Sequence, residues 1–266
     1  MSFEEYARSE HEQPYIYEIS QGEKKLVYFG AYHAYDPADP MLADIKKRFE
    51  ELQPNVVVVE GMEKLAQLPP EAMDRVRLAS WEDAARKGGE AGFALKLAVE
   101  AGIDVVSPEP DDRAEIADLE AHGYTKEQIF AFHIYRSVAQ YWRQVPDLSI
   151  NEFLGPYVEM FKESVDWQDF DFSLDHVEKI GKEIWGEAAN LEDVDAANAR
   201  IDPVPWPGTE ERQTVINNVA RRSSQFRDEQ LVAAIRELAK KHERVLVVFG
   251  ASHAYMQQPA LRNLYN

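Results

Sequence analysis

The sequence predicts an α/β protein built on a central, mostly parallel sheet. Three observations predict it. Four short apolar runs, rich in β-branched and aromatic residues, recur along the chain: Leu26–Gly30, Val56–Glu60, Ile103–Ser107 and Val245–Gly250. They are near-continuous rather than alternating, as expected of strands buried on both faces. Segments with helical patterning separate them, in the β-α-β-α-β order of a parallel layer. Finally, the turns after the first and last runs echo each other, which predicts a sheet of two pseudo-repeated halves.

Taken in order, Tyr15–Ile19 and the turn Gln21-Gly-Glu-Lys24 predict a hairpin that adds an antiparallel strand before the first buried one. Asp39-Pro40 predicts a helix start, an acidic N-cap followed by Pro in the first turn, with the helix running to Leu52 and stopped by Pro54. Residues 71–87 and 90–101 predict two further helices, separated by Gly88-Gly89 and closed by Gly102. Thr125-Lys-Glu-Gln128 predicts a capping box opening a helix rich in aromatics: Phe130, Phe132, Tyr135, Tyr141 and Trp142. Ile201–Gly208 reads as a Pro-rich extended connector. A long helical stretch over 209–242, with a break expected near Ser223-Ser224, leads into the last strand.

The chain has 266 residues, 29 Lys+Arg, 48 Asp+Glu and a formal net charge of −19. Residues 146–200 alone carry 14 acidic and 4 basic side chains, a net −10. The expectation is one α/β domain over 1–266, with residues 120–205 forming a helical, acidic insertion. An acid excess of this size argues against nucleic-acid backbones and anionic membranes. The start of the chain lacks the pattern of a signal peptide, and no stretch reads as a membrane helix, so a cytoplasmic protein is expected. With no cysteine, disulfides and thiolate metal sites are excluded, and any metal must sit on His, Asp and Glu.

The chemistry is expected at the echo. Phe29-Gly-Ala-Tyr-His33-Ala-Tyr35 and Phe249-Gly-Ala-Ser-His253-Ala-Tyr255 agree at six of seven positions, each directly after a buried strand. In open parallel sheets, ligands bind beyond the carboxyl ends of the strands. The other two buried runs lead into Glu60 and Glu109 at the same end. Two imidazoles and one or two carboxylates suit a divalent metal such as Mn, Co or Zn. The expected ligands are His33, His253 and Glu60, with Glu60 or Glu109 as general base or fourth ligand. Arg227 is a candidate for stabilising an oxyanion, or alternatively for pairing with a carboxylate. Tyr35, Tyr255 and His133 are candidate pocket residues, for each of which core packing is the competing reading. A lone His at a strand end is more often a satisfied core residue; the repetition of the whole turn favours function.

The paired turns Gly30-Ala-Tyr-His33 and Gly250-Ala-Ser-His253 resemble those of the TraB/PrgY/GumN superfamily, which includes the Tiki metalloproteases and is related more distantly to erythromycin-esterase-like and ChaN-like proteins. Val58-Val59-Glu60-Gly61 is similar to that family's strand-terminal Glu, and Arg227-Asp228-Glu-Gln-Leu231 to its Arg-Asn/Asp-x-x-Leu/Met segment. The resemblance covers residues 24–110 and 220–256. It implies an α/β fold of two related halves and metal-dependent hydrolysis of peptide, or more broadly amide or ester, bonds through both His and the Glu. A small molecule or peptide is then the expected partner, with a homodimer as a further possibility. The alternative is a non-catalytic protein that holds haem or another small ligand, or acts as a regulator, on the same fold.

Overall fold

In the computed structural model, residues 1–61, 70–144, 147–186, 194–262 and 264 are described. The chain divides into two compact units. The first comprises Met1, Ser9–Pro110 and Asp228–Asn266; the second comprises Ser2–Arg8 and Asp111–Arg227.

The first unit holds a five-stranded sheet of β1 (Tyr15–Gln21), β2 (Lys24–Ala31), β3 (Val56–Val59), β4 (Asp104–Val106) and β5 (Arg244–Gly250), in the order β1-β2-β5-β3-β4. β1 pairs antiparallel with β2, and every other pairing is parallel. The mixed α/β class and the antiparallel edge are as the sequence predicts. The first and last buried strands are direct neighbours, with Ala31 opposite Gly250.

Alternation along the strands divides the core between two faces. Val27, Phe29, Val57, Val59, Leu246 and Val248 face one way, against α2 (Pro40–Leu52) and α4 (Trp81–Ala101). Leu26, Tyr28, Val56, Val58, Val245 and Val247 face the other, against Leu231 and Ile235 of α10 (Val215–Lys241) and Ala254 and Leu261 of α11 (Ala251–Leu261). All four valines of β3 are fully buried, each contributing on the order of 1.5–3 kcal/mol. This is why these runs carry no polar alternation.

α2 starts as expected: the Asp39 side chain accepts from the Met41 N–H and Pro40 fills the first position. Two helix boundaries differ from expectation. The stretch 71–87 is two helices, α3 (Pro70–Leu78) and the start of α4, because the Ser80 side chain caps the Asp83 N–H and begins a new helix. Gly88-Gly89 does mark a break between two helical stretches, both within α4. Gly89 makes the break with φ 57° and ψ −149°, a conformation open essentially to glycine alone. α10 runs straight through Ser223-Ser224, where Ser223 is buried and its hydroxyl donates to Glu115 rather than breaking the backbone ladder.

The second unit is helical. It holds α1 (Phe3–Tyr6), α5 (Asp112–Ala121), α6 (Lys126–Gln144), α7 (Ile150–Ser164), α8 (Leu174–Trp185), α9 (Val194–Ile201), a 3-10 turn at Glu210–Arg212 and the first half of α10. It extends beyond the 120–205 expected for the insertion. The aromatic helix α6 supplies its core: Phe130, Ile134, Tyr135 and Val138 are buried against Leu154, Phe161, Trp167 and Val177. Among the described residues, no helix is long and apolar enough to cross a membrane.

Candidate functional site

The strand order brings the expected strand-end residues of the first unit to one edge. β2, β5 and β3 lie side by side, and each ends in the same direction. His33 follows β2, His253 follows β5, and Glu60 follows β3. Paired strands run about 5 Å apart, so the three leave the sheet from adjacent positions.

The repeated turns take different shapes. After β2, Tyr32–Tyr35 is irregular coil; after β5, the matching residues form the first turn of α11. Asp36-Pro37 follows the first copy, and Pro disfavours helical backbone at the residue before it. The second copy continues instead into Met256-Gln257-Gln258, all compatible with helix.

Each imidazole is held through Nδ1 by a carboxylate. His33 Nδ1 lies 3.1 Å from Glu90 Oε1, and the Ala34 N–H donates to Glu90 Oε2 at 3.1 Å. His253 Nδ1 lies 2.6 Å from Asp228 Oδ1. The same oxygen accepts from Gln257 Nε2 at 2.6 Å, and Gln257 Oε1 accepts from the Tyr28 hydroxyl at 3.0 Å. A carboxylate acceptor places the proton of a neutral imidazole on Nδ1 and makes Nε2 its basic atom. Their settings differ: the His33 side chain is half exposed, the His253 side chain only 14%.

Glu60 is half-buried at the mouth of α11, where its Oε2 accepts from the Gly250 N–H at 2.8 Å. The position favours an anion, since a helix N-terminus carries partial positive charge. A Cβ on Gly250 would stand 3.3 Å from Glu60 Oε2 and 3.4 Å from His253 Cδ2, so this glycine leaves room for both side chains. Glu109 accepts from the Gly61 N–H at 3.3 Å. Burial pushes the Tyr28 phenol well above its ordinary pKa, and Tyr17, Asp228, Glu60 and Glu109 add to the rise in that order. Three separate carboxylates therefore act on one phenol beneath the strand ends.

Tyr35 is exposed and its ring covers Gly89. Tyr255 stacks on His11, with ring centroids 4.7 Å apart, and meets Tyr15 edge-on at 5.0 Å. His133 belongs to the helical unit, packed against Phe132 and Phe161. Burial pushes its imidazole down to about 4; Glu115 opposes the shift and Arg136 adds to it. Arg227 closes the helical unit, where its charge acts on Glu115. Burial works to raise the Glu115 carboxyl, but His133, Arg136, the Ser223 hydroxyl and Arg227 outweigh it and hold the pKa below the ordinary value.

Sequence reasoning missed Glu90 and did not single out Asp228. Glu90 had a signal, as a carboxylate directly after Gly88-Gly89 in an otherwise apolar stretch. Asp228 had another, its place beside Arg227 in the segment Arg227-Asp228-Glu-Gln-Leu231. Among the described residues, no three His, Asp or Glu side chains stand close enough to hold a metal ion together. Compared with protein-family models, curated proteins and solved structures, the chain shows no match.

Proposed function

We propose that the carboxyl edge of the sheet is a hydrolytic site for amide or ester bonds, most specifically peptide bonds. One observation carries the reading: His33, Glu60 and His253 leave three adjacent parallel strands at the same end. Isolated strand-end residues would be scattered across the sheet. The resemblance of the two Gly-x-x-His turns and the strand-end Glu to the TraB superfamily supports the peptide class.

The geometry supports a division of labour. His253, its Nδ1 proton held by Asp228, has one lone pair, on Nε2, which either binds an ion or, where none is bound, takes a proton from the attacking water. Glu60, fixed by the Gly250 N–H at 2.8 Å, is a negative charge at the same strand ends that can orient that water or a cationic leaving group. The donor set of two imidazoles and a carboxylate suits a divalent ion of the Zn, Mn or Co type; His33, His253 and Glu60 would hold it only after closing in from the positions they take here. Such an ion polarises the scissile carbonyl and lowers the pKa of bound water.

A metal-free reading is favoured by the short His253–Asp228 contact, which is by itself a general-base dyad of the kind used in acyl transfer. Hydrolysis of fluorogenic peptides and p-nitrophenyl esters, with Zn, Mn or Co added, tests both. Activity that chelator, H33A and H253A each abolish supports the metal-dependent site. Activity that survives chelator but not H253A supports the dyad. Activity that survives both His substitutions refutes the site.

A further inference from the structure

Glu90 is one of two carboxylates buried to about 5% exposure or less among the described residues. The other, Glu115, faces Arg136 at 3.9 Å and has Arg227 acting on it. Glu90 has no Lys or Arg partner among the described residues. Its two partners are the His33 ring and the Ala34 N–H, both within the first repeated turn. Burying a carboxylate without a cation costs several kcal/mol unless hydrogen bonds offset it. A residue serving only the packing of α4 would be apolar, like its neighbours Ala91, Ala94 and Leu95.

The backbone is shaped to deliver it. Gly89, with φ 57° and ψ −149°, breaks the helical path one residue before Glu90. A Cβ on Gly89 would meet the Tyr35 ring at 3.4 Å and the Ala34 carbonyl oxygen at 3.5 Å. The kink thus brings α4 against the coil that carries His33. That coil has no regular backbone ladder of its own.

We infer that Glu90 is a positioning residue: it fixes the His33 ring and holds the neutral imidazole with its proton on Nδ1 and its lone pair on Nε2. The catalytic consequence rests on the hydrolase reading; the tautomer does not. Oε2 tethers the loop at Ala34, and Oε1 orients the ring. These two roles separate on substitution. In Glu90→Gln the amide oxygen still accepts from the Ala34 N–H. The amide NH₂ then faces His33 Nδ1, which must become an acceptor, so the proton moves to Nε2.

The test is ¹⁵N NMR of histidine-labelled protein at about pH 8, where an ordinary imidazole is neutral, with H33A identifying the His33 signals. The parent is expected to show the Nδ1–H tautomer at His33 and E90Q the Nε2–H tautomer, while the other histidines keep their shifts. Where hydrolysis is measurable, kcat in E90Q is expected to fall about 10- to 100-fold, the usual cost of losing the partner that orients a site histidine, with KM little changed. An Nε2–H tautomer in the parent overturns the inference without any variant, as does a tautomer that E90Q leaves unchanged. A flipped tautomer in a protein that hydrolyses nothing leaves the inference standing and removes the hydrolase reading instead.

Discussion

The Nδ1 of His253 sits 2.6 Å from Asp228 Oδ1, and the same oxygen accepts from Gln257, which in turn accepts from the buried Tyr28 hydroxyl. Asp228 comes from α10, His253 and Gln257 from α11, and Tyr28 from β2. One carboxylate thus ties two helices to the sheet while orienting the imidazole. Asp228→Ala leaves two donors without an acceptor at a half-buried site. The expected cost is about 1–3 kcal/mol, read as a lower urea midpoint at unchanged slope. Asp228→Asn keeps the shape, and is expected to lose less stability but as much activity, because an amide cannot hold the Nδ1 proton in the same way.

The two glycines that open the repeated turns are expected to respond differently to alanine. At Gly30 the new methyl would meet the Tyr15 carbonyl oxygen at 2.6 Å, the Ala254 Cβ at 2.7 Å and the Ala251 Cα at 3.0 Å. Backbone atoms on two elements cannot retreat easily, so Gly30→Ala is expected to destabilise by roughly 1–3 kcal/mol or more. At Gly250 the nearest atoms belong to the Glu60 and His253 side chains, at 3.3 and 3.4 Å, and these can shift. Gly250→Ala is expected to change stability by less than about 1 kcal/mol and to reduce hydrolysis. Thermal melts beside activity assays separate the two, and equal melting shifts for both would refute the distinction.

The sheet was legible because strands buried on both faces leave unbroken apolar runs, and Val56–Val59 has no other reading. The helix α11 was not. Six of the seven residues around His253 also occur around His33, where the chain leaves β2 as coil over Tyr32–Tyr35, so the local sequence does not decide the conformation. The residues just downstream decide it, Pro37 in one case and Met256-Gln257 in the other. His33, Glu60 and His253 could be read from strand ends. The pairing of the two histidines with Glu90 and Asp228 could not, because those carboxylates arrive from helices 57 and 25 residues away along the chain, and no local pattern encodes such a pairing.

Lys96 is buried to 2% exposure on α4, with its ammonium 2.7 Å from Glu100 Oε1 and 4.8 Å from the Trp81 ring centroid. It also donates to the Arg77 carbonyl at 3.0 Å, near the C-terminal end of α3, where helix carbonyls lack partners of their own. Lys96→Met conserves the aliphatic stem but removes the donor. The expected loss is about 1–3 kcal/mol, and hydrogen exchange is expected to quicken first in α3. Uniform quickening across the sheet would show that the lysine acts through general packing.

His133 makes the stability of the helical unit depend on pH. Its imidazole is pushed down to about 4 in the folded protein, chiefly by burial, from an ordinary value of 6.5. Below pH 6.5 the unfolded chain takes up a proton at this residue and the folded chain does not. The unfolded state is therefore favoured progressively as pH falls from 6.5 to about 4, by on the order of 3 kcal/mol across that window. Above pH 6.5 the residue contributes no pH dependence. Glu115, held below its ordinary 4.5, adds a loss of the same sign only at lower pH, once the unfolded carboxyl begins to protonate. His133→Phe removes the first effect and fills a site already lined by Phe132 and Phe161. Four of the five tryptophans, Trp142, Trp167, Trp185 and Trp206, belong to this unit, so their fluorescence follows its unfolding. Urea midpoints are expected to fall between pH 7 and pH 4.5 in the parent and to stay nearly level in His133→Phe. Parallel curves for the two proteins would mean that His133 takes up its proton in the folded state.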